Sequence, residues 1–95
     1  MKFIVSPAAV ADLDRLRIFL SNKNDRAAQR AIAGIVRAID SLALFPERGR
    51  PSGIAGVREL IVPFGRSAYI VRFAHDPLRR EIIILRVWHG REARS

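Results

Sequence analysis

Apolar positions along this chain change their period twice. Lys2 is followed by a short apolar run, Phe3, Ile4 and Val5, which reads as a strand. From Ser6 the spacing becomes helical, with Val10, Leu13, Leu16 and Leu20 on one stripe and Asp12, Asp14, Arg15 and Arg17 between them as polar positions. Ser6 is placed to cap free backbone N–H groups, and Pro7 is tolerated at a first helical position. The stretch from Ser21 to Asp25 breaks this pattern, and Asn24 or Asp25 can cap a second helix. That helix has Ala28, Ile32, Ile35, Ile39 and Leu42 on its apolar stripe, with Arg26, Arg30, Arg37 and Asp40 away from it. It must stop before Pro46, because proline disfavours helical geometry in the preceding residue.

The period then shortens. Pro46 to Gly56 is rich in proline and glycine and reads as a loop. Three strands are predicted after it, Val57–Phe64, Ser67–Ala74 and Glu81–Trp88, joined by turns at Gly65 to Ser67 and His75 to Arg80. The order β-α-α-β-β-β predicts an α+β domain spanning residues 1–95, a mostly antiparallel small sheet with a helical hairpin packed on one face. Strict alternation assigns Leu60, Val62, Phe64, Tyr69, Val71, Phe73, Ile83, Leu85 and Val87 to the helix-facing side. Ile61, Ala68, Ile70, Arg72, Ile82, Ile84, Arg86 and Trp88 fall on the other side, so Arg86 is expected to point away from the helices.

Composition narrows the class. The 95 residues are 49% hydrophobic and 27% charged, an ordinary globular balance with a thin core. Without cysteine, disulfide and thiolate–metal chemistry are excluded, which fits a reducing compartment. The opening imitates a secretion signal, but its apolar run is shorter than the roughly 7–15 residues required. No stretch approaches the ~20 apolar residues of a membrane span. A cytoplasmic protein without membrane contact is expected. The net charge of +8 comes from 17 basic and 9 acidic residues, and all the basic ones except Lys2 and Lys23 are arginine. Guanidinium groups suit bidentate pairing with carboxylate or phosphate, so an acidic partner is favoured, either nucleic acid or an acidic protein segment.

The densest chemistry lies at the end of the chain, in Arg86, Trp88, His89, Arg91 and Arg94. Arginines beside an imidazole can hold a phosphate or carboxylate while the histidine moves a proton. The structural alternative is a solvated basic terminus with Trp88 filling an apolar gap, and stability is expected to depend little on residues past Trp88. Glu47 to Gly53 reads as a polar surface loop, and Arg26, Arg30 and Arg37 read as a solvated helix face. His75 has no evident chemical role. A glycine-rich phosphate loop, a His-Glu-x-x-His pair and a carboxylate cluster are all missing, so no metal or cofactor is expected.

The β-α-α-β-β-β order, the strand pair from Val57 to Phe73 and the closing stretch from Ile82 to Arg94 resemble the RelE/ParE family of type II toxin–antitoxin toxins. The likeness covers nearly the whole chain and is closer to the ParE-like branch. It implies a cytoplasmic toxin that arrests growth, serves plasmid stabilisation and is neutralised by a cognate ParD-like antitoxin. Such antitoxins usually join a dimeric DNA-binding part to a disordered, often acidic part that folds on the toxin. ParE-like members inhibit DNA gyrase, whereas RelE-like members cut mRNA on the ribosome without a metal. RelE-like cleavage uses lysines and an arginine on the middle strands, a late arginine and a terminal tyrosine or histidine. Arg91 matches the late arginine, but Leu60, Ile61 and Val62 stand where the lysines would be, and Arg66 is only near the other arginine position. His89 precedes Arg91 instead of following it. The resemblance therefore favours a non-enzymatic gyrase inhibitor. Were the chain a metal-independent endoribonuclease instead, His89, Arg91, Arg66 and Arg86 would be its catalytic candidates.

Overall fold

A computed structural model describes residues 1–92. The elements are β1 (Lys2–Val5), α1 (Pro7–Ser21), α2 (Asp25–Ser41), β2 (Arg50–Pro51), β3 (Val57–Phe64), β4 (Ser67–Asp76) and β5 (Glu81–His89). Ser6 caps α1, accepting the Ala9 N–H at 3.0 Å, with Pro7 at the first helical position. Asn24 caps α2, accepting the Ala27 N–H at 3.1 Å. The sheet order is β1-β5-β4-β3-β2, antiparallel except for the parallel pair β1–β5. The α+β architecture is the expected one, and the four predicted strands are joined by a fifth, β2, inside the predicted loop. Gly49 lets that loop approach β3, since a Cβ there would lie 2.4 Å from the Glu59 carbonyl oxygen.

The helices cover one face. Ala9, Leu16, Ala31, Ile35 and Leu42 meet Leu60, Val62, Tyr69, Val71 and Phe73 in the core. On β5 the helix-facing residues are Ile82, Ile84 and Val87, not the Ile83, Leu85 and Val87 of strict alternation. The cause is a β-bulge: Arg72 pairs with Arg86 but Phe73 pairs with Ile84, leaving Leu85 as an extra residue on β5. The parity of the strand flips there, so its first half presents the opposite set of side chains to the core. The α1 stripe also differs from expectation. Val10 is 54% exposed, whereas Asp12 is only 5% exposed.

Candidate functional site

The end of β5 is held by side chains of α1. β1 pairs with β5 only as far as Val5 opposite Ile84, where the chain turns into the helix. Beyond that point the β5 edge still carries backbone groups that need partners. Ser6 supplies the first two: its N–H donates to the Ile84 carbonyl and its hydroxyl to the Leu85 carbonyl, both at 2.9 Å. Asp12, one helical stretch on, accepts the buried Val87 N–H at 2.9 Å. Arg15 donates to the Val87 carbonyl at 3.4 Å. The N-cap and two residues of one helix thus continue the pairing that β1 breaks off.

Arg86 joins this anchor. Its Nε donates to Asp12 Oδ2 at 2.7 Å and its Nη2 to Asp12 Oδ1 at 3.1 Å, a bidentate charge-assisted pair. The expectation that Arg86 points away from the helices is corrected here: the bulge re-aims it over the strand edge toward α1. Burial alone pushes the Asp12 carboxyl up. The hydrogen bonds from Arg86 and the Val87 N–H, with the charges of Arg86 and Arg15, outweigh that and hold it below its ordinary 3.8. Arg86 is pushed above its ordinary value, first by the hydrogen bond to Asp12.

The turn after β5 is closed by a second set of bonds. Glu92 accepts the His89 N–H at 2.7 Å and pairs with Arg15 at 3.1 Å. Gly90 donates to the Ala68 carbonyl at 2.8 Å, and a Cβ at Gly90 would lie 3.2 Å from that oxygen. The Arg91 N–H donates to His89 Nδ1 at 3.1 Å. Nδ1 therefore acts as acceptor, and the ring proton sits on Nε2, directed at Ser67 Oγ 2.9 Å away. Tyr69 meets the imidazole edge-on with centroids 5.4 Å apart. Burial, and then the charge of Glu92, push the Tyr69 hydroxyl above its ordinary 10.0. Residues 89–92 are thus tied down more firmly than a solvated terminus would be.

On the sheet face away from the helices, Glu59 is 2% exposed and accepts from Arg72 at 2.9 Å and Arg50 at 3.3 Å. The Arg72 guanidinium lies 5.1 Å from the centre of the Trp88 ring, a cation–π contact. Trp88, with 6% exposure, belongs to this layer and not to a solvent-facing tail.

The predicted site residues therefore separate into groups. His89 and Arg91 lie together, and Ser67 brings the turn bearing Arg66 beside them. Arg86 is committed to α1 and Trp88 to the opposite face. Arg91 and Arg66 are exposed, with no side-chain ion pair among the described residues. Arg94 lies outside the described residues. Asp12, Glu59, Ser67 and Glu92 were missed. Asp12 alone left a trace, since Ala9, Asp12 and Leu16 stand at helical spacing on one stripe. Among the described residues no group of His, Asp and Glu is gathered to hold a metal, and no helix is long and apolar enough to cross a membrane.

Comparison with known proteins decides the family. The profile described as "ParE toxin of type II toxin-antitoxin system, parDE" matches residues 3–94. The chain belongs to the ParE toxin family. This ParE-family chain is 40% identical over 91 residues to "Toxin RelE1" of Caulobacter vibrioides, covering 96% of this chain and 95% of the relative. "Toxin RelE3" of the same organism is 34% identical over 90 residues, with 95% of each chain covered. Among solved structures, one titled "Chromosomal ParDE TA system from P. aeruginosa" superposes with a TM-score of 0.73 at 28% identity, over 94% of this chain and 95% of that one. The anchored β5 terminus is thus part of a type II toxin of the ParE/RelE family.

Proposed function

We propose that this toxin arrests growth by inhibiting DNA gyrase in the cytoplasm, without cutting a substrate, and that a cognate ParD-like antitoxin neutralises it. The observation that carries the reading is how the candidate chemical groups are spent. Both ring nitrogens of His89 are engaged, by Ser67 and by the Arg91 backbone. Arg86 is locked on Asp12. A cleaving site needs a base and several cations aimed at one phosphate, and of the candidate residues that are described only Arg91 and Arg66 are exposed without an ion pair. An inhibitor that binds needs only a rigid surface, which the anchored turn supplies. In this reading Arg91 touches the target, His89 positions it, and Arg86 and Trp88 hold the strand that carries both.

An antitoxin partner is supported by large apolar side chains left in solvent on the helices and the loop after them. Phe19 is 57% exposed, Leu44 80% and Phe45 62%. Ribosome-dependent mRNA cleavage is the second reading, kept open by the names RelE1 and RelE3 of two relatives. Purified toxin added to gyrase supercoiling of relaxed plasmid, and in parallel to a translating extract with a labelled mRNA, separates the two. Loss of supercoiling with intact mRNA is expected; mRNA cleavage with normal supercoiling would overturn the gyrase reading.

A further inference from the structure

Among the described residues, six of the protein's fifteen arginines answer a carboxylate. Arg15, Arg17, Arg50, Arg72, Arg79 and Arg86 all have acidic partners. Arg26, Arg30 and Arg37 do not: all three are exposed on α2, and none makes a side-chain ion pair among the described residues. They lie at i, i+4 and i+11, along one flank of the helix, over about 16 Å of its length. Together with Gly34 they line a groove whose other wall is Pro63 and Phe64 at the end of β3.

Helix stability does not explain this arrangement. Like charges four residues apart repel, and Arg26 and Arg30 stand in the N-terminal half of α2, where the helix dipole disfavours cations. The pattern opposes what an isolated helix prefers.

We propose that this arginine ridge is a docking surface for the phosphate backbone of double-stranded DNA. Duplex DNA presents one negative charge per about 1.7 Å of its axis, so a straight ridge of this length finds phosphates within reach of each guanidinium. Single-stranded nucleic acid is matched less well. Phe64, the aromatic side chain lining the groove, is half-buried and tilted against Tyr69 at 5.7 Å, so the groove offers one partly covered ring and no row of rings on which successive bases could stack. An acidic protein segment that folds on binding needs apolar anchors beside its charges. Those, Ile32 and Val36, lie in the neighbouring groove shared with α1, which takes in Arg37 but neither Arg26 nor Arg30. The inference does not rest on the gyrase reading, because the binding requires no gyrase.

The test is fluorescence anisotropy of a labelled duplex of about 20 base pairs with the purified toxin, at salt concentrations from about 50 to 200 mM. Three phosphate contacts predict a log–log salt slope near −2.7, a loss of affinity of about 40-fold across that range. The triple variant Arg26→Gln/Arg30→Gln/Arg37→Gln should bind at least about tenfold more weakly at low salt, with a slope near zero. The control Lys2→Gln/Arg79→Gln/Arg80→Gln removes the same charge at the far end of the ten-residue strand β4 and should change affinity by less than about threefold. Should the triple variant lose its fold, Arg30→Gln alone carries the test, through a slope smaller by about 1. Equal losses in the two triple variants would overturn the proposal in favour of net charge. Tighter binding of a single-stranded RNA or of polyglutamate than of the duplex would overturn it in favour of another polyanion.

Discussion

Replacing Asp12 by alanine tests the anchor between α1 and β5 most directly. Asp12 is 5% exposed and serves two partners with different fates. The Val87 N–H is buried, so losing its acceptor costs about 1–3 kcal/mol. The Arg86 side chain is 40% exposed and regains water, so its share is about 1 kcal/mol after screening. Alanine returns roughly 0.5 kcal/mol through better helix propensity. The sum is about 1.5–3.5 kcal/mol, a fall in Tm of roughly 6–28 °C for a domain of this size. Asp12→Asn keeps an oxygen for the Val87 N–H and should cost only about 1–2 kcal/mol. A double-mutant cycle with Arg86→Ala should return a coupling energy near 1 kcal/mol. Urea unfolding followed by circular dichroism is the assay, because guanidinium chloride is itself a salt and screens the pair. A loss below about 0.5 kcal/mol for Asp12→Ala would refute the reasoning, since that is the size of an ordinary surface substitution.

The same carboxylate makes stability pH-dependent. Its pKa is depressed on folding, so its contribution is full above the ordinary 3.8 and is lost as pH falls through the lower folded value. The gap in unfolding free energy between wild type and Asp12→Asn should therefore be constant at neutral pH and narrow below 3.8; a gap that widens on acidification would contradict this. Arg91→Ala should reduce growth arrest on induction while moving stability by no more than about 0.5 kcal/mol, checked by growth curves and thermal unfolding of the purified protein. Full toxicity in that variant would remove Arg91 from the target surface. Gly49→Ala should cost about 1–3 kcal/mol, because the added Cβ would meet the Glu59 carbonyl oxygen and the backbone there has φ of +96°. An unchanged Tm would show that the loop can move aside.

Local signals located the elements well. Ser6 before Pro7, Asn24 before Asp25 and the prolines and glycines after residue 45 act within a few residues of themselves, and the bounds they predict agree closely with those observed. Features fixed by distant partners were illegible. The bulge at Leu85 depends on how β5 meets β4, and strict alternation has no means of showing an extra residue. Asp12 reads as one more polar position until β5 is placed beside α1, because its partners are 74 and 75 residues away. Arg86 was misplaced for the same reason. At the site, His89 and Arg91 were found as neighbours in sequence, whereas the Ser67 hydroxyl that fixes the imidazole lies 22 residues off.

The bonds that secure β5 have a consequence in time as well as in space. β5 lies between β1 and β4, so until it is translated β1 has no partner in the sheet and β4 lacks one of its two. Ser6 reaches Leu85 across 79 positions and Arg15 reaches Glu92 across 77, contacts of very long sequence separation that close late and slowly. A nascent chain that has emerged only as far as β4 can form its helical hairpin and the β3–β4 hairpin, but it cannot close the sheet. The exposed Arg91 comes into place in the turn directly after the strand that completes the fold. On the proposed reading, the target surface and the folded state therefore arise in one event, and a ribosome stalled within the last strand should release a harmless chain.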